Sequence, residues 1–264
     1  MTHATAIIHP SARIDSSVTI GPYSVIDEAV KLGAGCGIGP HVHLTGHTVI
    51  GANNRFHSGC VIGDAPQDLK FKGDATRLVI GDNNLFREHV TVHRSNKTSE
   101  DTVVGSNNVF MAHSHVGHNA RIGDGVILAN GALLGGHAEI GDRAFISGNG
   151  LVHQFVRVGT LALMQGGSAV SKDLPPYTVA RGVNSICGLN VVGLRRAGFT
   201  SEQRLELKRL YHILFRRGVS LRAALESATA EFKSEWSRVL IDFVATAKRG
   251  VCAHGRSSEN MDES

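Results

Sequence analysis

For almost the first two thirds of the chain, with two interruptions, every sixth position from Ile8 carries an aliphatic or large apolar side chain. The series Ile8, Ile14, Ile20, Ile26, Leu32, Ile38, Leu44, Ile50, Phe56 and Ile62 is unbroken. Ile80, Phe86 and Val92 resume it, and a third run leads from Val104, Phe110 and Val116 through to Val158, Met164 and Val170. Glycine follows the apolar position at many repeats, among them Gly21, Gly33, Gly51, Gly63, Gly117 and Gly135. A period of six matches neither the 3.6 of a helix nor the 2 of a strand, but it does match a chain that turns a corner at each repeat. The pattern therefore predicts a mainly β protein built as a parallel β-helix of hexapeptide repeats. Each apolar side chain points inward, each strand pairs with its equivalents above and below, and glycine is expected to supply φ freedom at the corners. Three hexads per coil give about eight rungs, roughly 40 Å of prism at ~4.8 Å per rung.

Two segments break the rhythm, and interruptions of a regular solenoid commonly carry function. Residues 64–78 read DAPQDLKFKGDATRL, with a charged centre at Asp68, Lys70 and Lys72; residues 94–102 read RSNKTSEDT and are wholly polar. Both are expected to loop outward. After Val170 the pair Pro175-Pro176 stops the strands, and from about Gly198 the spacing turns helical. Thr200 with Gln203 reads as a capping box for a helix ending near Gly218, Ser220 caps a second to about Ala230, and a third spans about Glu235 to Lys248. The expected division is a β-helix over 1–189, a C-terminal helical domain over 190–250 and a disordered tail over 251–264.

Composition narrows the class. With 264 residues, 42% hydrophobic and 19% charged, the chain is long enough for one large and one small globular unit. No apolar run is long enough for a membrane span, and Met1 to Ala6 lacks the start of a secretory signal, so a cytoplasmic protein is expected. Cys36, Cys60, Cys187 and Cys252 lack metal or redox spacing and read as buried fillers. The net charge of +4 permits an acidic partner without demanding nucleic acid, and aromatics at 5% are too few for a base-stacking platform.

Fifteen histidines are many for this length. Five of them, His113, His115, His118, His137 and His153, fall within one stretch of the solenoid. Imidazole suits proton transfer near neutral pH because its ordinary pKa is about 6.5. The segments SHVGHNARIG, GGHAEIG, VHQF, DLPPYTVARG and GLNVVGLRRAGF, in that order, together with the insert QDLKFKGDATRLVIGDNNLFREHVTVHR at 67–94, resemble the UDP-N-acetylglucosamine O-acyltransferases that begin lipid A synthesis. These are hexapeptide acyltransferases with a left-handed β-helix, and the resemblance runs from the first hexad into the helical segment.

The resemblance implies the chemistry residue by residue. His118 is the general base that takes the proton of the glucosamine 3-hydroxyl as it attacks the thioester of an (R)-3-hydroxyacyl group on acyl carrier protein. The backbone N–H of Gly136 serves the oxyanion. Asp68 and Lys70 contact the sugar and the acyl or pantetheine portion, and His115, His137, His153 and Gln154 line the cleft. His93 lies near the nucleotide phosphates, and Asn190 and Arg196 hold the uridine diphosphate. Gly166 sits where side-chain bulk limits acyl length, and its glycine leaves room for a long chain unless Met164 or Gln165 shortens the groove. No metal and no cofactor are implied, and the assembly is a homotrimer with sites between subunits. Basic helix residues such as Arg216 and Arg217 would face the acidic carrier protein.

This chain also departs from the family pattern. Asn119 stands where many members carry an acidic residue, so a backbone carbonyl is the expected orienter of His118. Val192 and Ala197 replace a glutamate and an arginine, which leaves a 3-amino sugar nucleotide open as acceptor. A different class uses the same solenoid: gamma-class carbonic anhydrases hold zinc between subunits with two histidines five residues apart. His113 and His118 have that spacing, with His89 or His93 as third ligand. That reading gives the helices and the Asp68 loop no purpose. A catalytically silent scaffold is the third option, and it leaves the histidine cluster unexplained.

Overall fold

The structure, a computed structural model, describes residues 1–255. Hexads become strands of mostly two residues, and each pairs in parallel with the equivalent strand one coil later: Ile7 lies beside Val25 and Ile8 beside Ile26. Three sheets of nine, eight and eleven strands close into the faces of a left-handed prism. In most strands the second residue is the buried one, as at Ile26, Leu44, Ile62, Val92, Val116 and Leu134. Nine levels in the first sheet span roughly 40 Å at ~4.8 Å per step. Inside, Phe56, Phe86 and Phe110 stack face to face with centroids 4.6 and 4.7 Å apart, the rung spacing itself. The outward residues of the third sheet form an apolar, half-buried ladder of Leu85, Val109, Ile127, Phe145, Leu163 and Val179.

The corner glycines work differently from expectation. Most of the glycines that follow an apolar position, Gly33 and Gly117 among them, have ordinary φ; a Cβ at Gly33 would lie 2.6 Å from the Gly51 carbonyl. They are small because the next coil's backbone passes too close. The left-handed conformation falls two residues further on, at Tyr23, His41, Asn53, Asn83, Asn107, His113, Asn119 and His137. Asparagine and histidine tolerate that region better than most residues, which accounts for part of the histidine content without chemistry.

Of the two loops, the first projects as expected, with Leu69 fully exposed at its tip. The second folds back instead. Its Ser95 is completely buried and its Asn96 and Glu100 reach Asn119 on the corner below.

At the C-terminal end, four helices follow the last coils: α1 (Val191–Arg196), α2 (Ser201–Phe215), α3 (Leu221–Glu231) and α4 (Glu235–Ala245). The capping box of Thr200 and Gln203 and the Ser220 cap form as the sequence predicts, while α1, too short to show a period, was not expected. Leu207, Leu210, Leu214, Ala228 and Leu240 make a second core against Leu161 and Tyr177 of the prism. Arg157 pins the two parts: it pairs with buried Asp173 at 2.8 Å, donates to the Phe243 carbonyl at 2.9 Å and lies over the Phe243 ring.

Residues 251–255 of the expected tail are structured instead. Cys252 is buried and Ala253–His254 adds a strand beside Ser185 and Ile186. Apolar content was too thin there to signal structure, because a two-residue strand bonded through its backbone needs little of it. Residues 256–264 of the expected tail lie outside the described residues. Of the cysteines, Cys36, Cys60 and Cys252 are buried, but Cys187 is exposed on an outward strand position.

Close rung contact predicts an asymmetry between glycines. Gly33→Ala should lower stability by about 1–3 kcal/mol through overpacking. Gly148→Ala, whose Cβ would meet only the Asn130 carbonyl at 3.5 Å, should stay within ~0.5 kcal/mol. Chemical denaturation of both variants checks this; equal losses would refute the packing account.

Candidate active site

A cleft of about 570 Å³ runs along the first sheet, lined by Gln67, His93, His115, His118, Gly135, Gly136, His153, Gln154 and Ser171, with Leu133, Leu151 and Val183 as its apolar wall. The eighteen-residue coil assembles it. His118, Gly136 and Gln154 are one coil apart at the same corner, and so are Asn119, His137 and Phe155. The His118 ring presents its Nε2 edge to Gly136: a Cβ there would be 2.7 Å from Nε2 and from Cε1. Only glycine admits the ring. Among the described residues no acceptor takes the Gly136 N–H, which leaves a free donor beside that imidazole.

The tautomer of His118 follows from its neighbours. Its Nδ1 lies 2.9 Å from the Asn119 side-chain oxygen, which also accepts the Asn96 backbone N–H at 3.0 Å. An atom that accepts from a backbone N–H is the oxygen of the amide, so Nδ1 must carry the hydrogen and Nε2 the lone pair. The expected backbone carbonyl is therefore replaced by the Asn119 amide itself. The Asn119 nitrogen donates to Ser95 Oγ at 2.7 Å and to Glu100 Oε2 at 3.2 Å.

Electrostatics separate the rings. Burial pushes His115 down to about 4, assisted by His93 and His118. Its Nδ1 meets Thr91 Oγ1 at 2.7 Å. Burial likewise lowers His93 and His137, with His118 adding to both. These three rings stay neutral at pH 7. His137 stacks on Phe155 and meets His118 edge to face at 5.2 Å. Asp68 is held below the usual carboxylate range by the Lys70 backbone N–H, with the Asn96 amide at 2.7 Å as a second donor.

Not every expected residue converges here. His93, His115, His118, Gly136, His153 and Gln154 line the cleft; Asp68 is outside the lining, bonded to Asn96 on the far side of Asn119, and His137 packs behind His118 and opens on the neighbouring groove. Lys70 is exposed on the loop. Gly166 is outside the cleft lining, and a Cβ there would touch only the Gly148 carbonyl at 3.5 Å, so that corner is open. Met164 cannot shorten it, being fully buried inside the coil, and Gln165 is bonded to Arg181. Asn190 lies at another corner, where it caps α1 and bonds the Leu161 carbonyl, and Arg196 is exposed at the end of that helix. His113 stacks on His89 at the corner before the strand His115–Val116, whereas His118 sits at the corner after it. The zinc set of His113 and His118 thus does not form within one chain, and no group of three or more His, Cys, Asp or Glu side chains able to hold a metal occurs among the described residues. Sequence reasoning missed Gln67, Ser95, Asn96 and Glu100, although the broken hexads that carry them were the signal.

A hexapeptide prism with a histidine-lined cleft on one face defines the class of hexapeptide-repeat transferases, and the family model described as "Bacterial transferase hexapeptide (six repeats)" matches residues 101–136. A second model, "Udp N-acetylglucosamine O-acyltransferase; Domain 2", matches residues 173–252. Two proteins named as acyl-(acyl-carrier-protein)–UDP-N-acetylglucosamine O-acyltransferases, from Syntrophobacter fumaroxidans and Thermodesulfovibrio yellowstonii, are each 43% identical to it. Those matches cover 94% and 95% of this chain and 98% of each relative. The solved UDP-N-acetylglucosamine acyltransferase of Francisella novicida superposes with a TM-score of 0.93 at 39% identity, over 98% of this chain and 96% of that one. The chain belongs to the UDP-N-acetylglucosamine O-acyltransferase family.

His115 makes stability depend on pH. The unfolded ring takes up a proton near 6.5 and the folded one only near 4, so its contribution is complete above pH 6.5 and lost as pH falls toward 4, roughly 3 kcal/mol in all. Urea midpoints measured from pH 7 to pH 4 should fall less steeply for His115→Asn than for the native chain. Parallel curves would contradict the assignment.

Proposed function

We propose that this protein transfers an (R)-3-hydroxyacyl group from acyl carrier protein to the 3-hydroxyl of UDP-N-acetylglucosamine, with His118 as general base. The observation that carries this reading is the His118 lone pair on Nε2, lying over Gly136 with a free N–H beside it. A sugar hydroxyl is a weak nucleophile at pH 7 and needs a positioned base. Nε2 takes its proton as the oxygen attacks the thioester carbonyl. The tetrahedral oxyanion is met by the Gly136 N–H. Collapse expels the pantetheine thiolate, and the His118 imidazolium returns the proton to sulfur. Neutral His93, His115 and His137 add no positive charge of their own beside that ring.

In the same reading, Asp68 and Lys70 contact sugar and pantetheine, His115, His137, His153 and Gln154 shape the pocket, and His93 meets the phosphates. Leu133, Leu151 and the open corner at Gly166 accommodate the acyl chain. Asn190 and Arg196 reach the uridine diphosphate from a neighbouring copy, because they belong to a different corner of their own prism. The apolar ladder from Leu85 to Val179 supports a homotrimer, since such a face is stable only when covered. A cytoplasmic location fits an acyl-carrier substrate, and no helix among the described residues is long and apolar enough to cross a membrane.

The carrier protein is proposed to dock on the helices. Arg204, Lys208, His212 and Arg216 rim a cavity of about 470 Å³ that also shows exposed Val191 and Leu205. A basic rim around apolar contacts suits an acidic helical partner.

Two measurements test this. With UDP-N-acetylglucosamine and a ladder of hydroxyacyl carrier proteins, mass spectrometry should find a product acylated through a base-labile ester, and His118→Ala should lose about 100-fold or more. No acylated product from UDP-N-acetylglucosamine, or a fully active variant, would defeat the assignment. Arg216→Gln with Arg217→Gln should raise KM for the carrier protein about tenfold at low salt, a difference that fades as salt rises. A KM unchanged at every ionic strength would remove these arginines from docking.

A further inference from the structure

Asn119 is almost wholly buried, and both ends of its amide are saturated. The oxygen takes His118 Nδ1 and the Asn96 N–H; the nitrogen donates to Ser95 Oγ and Glu100 Oε2. Ser95 Oγ has already given its own hydrogen to the Lys97 carbonyl at 2.9 Å, so toward Asn119 it can only accept. Turning the amide over would set its NH2 against the Asn96 N–H and its carbonyl against a carboxylate and a committed hydroxyl. A buried group left with such pairings loses each bond and its desolvation besides.

We propose that Glu100 is a positioning residue for His118 and acts through the Asn119 amide. Its carboxylate holds that amide with the oxygen turned to the ring, which fixes Nδ1–H as donor and Nε2 as proton acceptor. The negative charge also polarises the amide toward the imidazolium formed when His118 takes the substrate proton. Three other charged or titratable groups share this corner. Lys97 Nζ is 3.6 Å and His137 Nδ1 3.9 Å from the Glu100 carboxylate, and Asp68 acts on His118 from the first loop. Neither Lys97 nor Asp68 touches Asn119. The second polar loop thereby gains a purpose: it brings a carboxylate to a corner whose own residue is an amide.

This inference rests on His118 being the base, so His118→Ala is assayed beside the other variants. Glu100→Ala should lower kcat about tenfold while KM for UDP-N-acetylglucosamine stays within about twofold, as expected for losing a charge-assisted bond behind the reacting group. Asn119→Asp with Glu100 intact sets two carboxylates across the former 3.2 Å bond and should cost at least about tenfold in kcat. Adding Glu100→Gln exchanges amide and carboxylate, so the pair donates and accepts in reverse. That double variant should return to within about threefold of the native kcat. Matched thermal midpoints across the series exclude unfolding as the cause.

Full native kcat in Glu100→Ala, a loss confined to KM, or a double variant no faster than Asn119→Asp alone would each overturn the inference. If instead His118→Ala itself keeps native rates, it is the assignment of the base that fails, and the two failures are told apart.

Discussion

The backbone of each coil lies one hydrogen bond above the next, and almost every feature of this protein descends from that fixed separation. It requires glycine where a Cβ would strike the neighbouring carbonyl, as between Gly33 and Gly51. It also makes residues eighteen apart direct neighbours, with no freedom to slide. An interior of interlocked apolar levels holds the register, since a slip by one residue would turn every inward side chain outward. The histidine cleft is a product of that lock: the ring of residue 118, the glycine beneath it and the glutamine below that are set by coil geometry rather than by a mobile loop.

Rigid scaffolding of this kind suits a reaction whose barrier depends on aligning three partners, a base, an alcohol and a thioester. Preorganised donors need not rearrange as charge develops. What remains adjustable lies in the two interruptions, where the chain leaves the prism and returns. One projects an exposed leucine between an acid and a lysine; the other doubles back and inserts a carboxylate behind the Asn119 amide. Changes in these two segments leave the register of the coils untouched.

The sequence disclosed the repeat, its breaks and the main helices because each has a period that a single chain displays. Hexad apolar positions translate almost one for one into buried residues, and Thr200 with Gln203 marks a helix start that forms as written. Other features have no period. The six-residue helix α1, the late strand at Ala253 and the inward fold of the Ser95–Asp101 segment depend on contacts between residues far apart. Within the site, His118, His115 and His153 were legible through their density. The Glu100 link was not, because nothing in a local pattern tells that a polar stretch will meet a corner nineteen residues later. The left-handed corners explain why histidine density alone misleads: His41, His89 and His113 occupy strained turns, apart from the cleft.

The chain reverses between Thr178–Ala180 and Ser185–Leu189, and that antiparallel pair, followed by Ala253–His254, closes the lower end of the third sheet. Tyr211 of α2 then ties the last strand through His254 at 2.8 Å. A solenoid left open at its last coil would offer another molecule's strands a ready template for stacking into fibres. Reversal of strand direction, with helices placed across it, breaks that template, so the same repeat that makes the prism so regular is kept from propagating end to end into a filament.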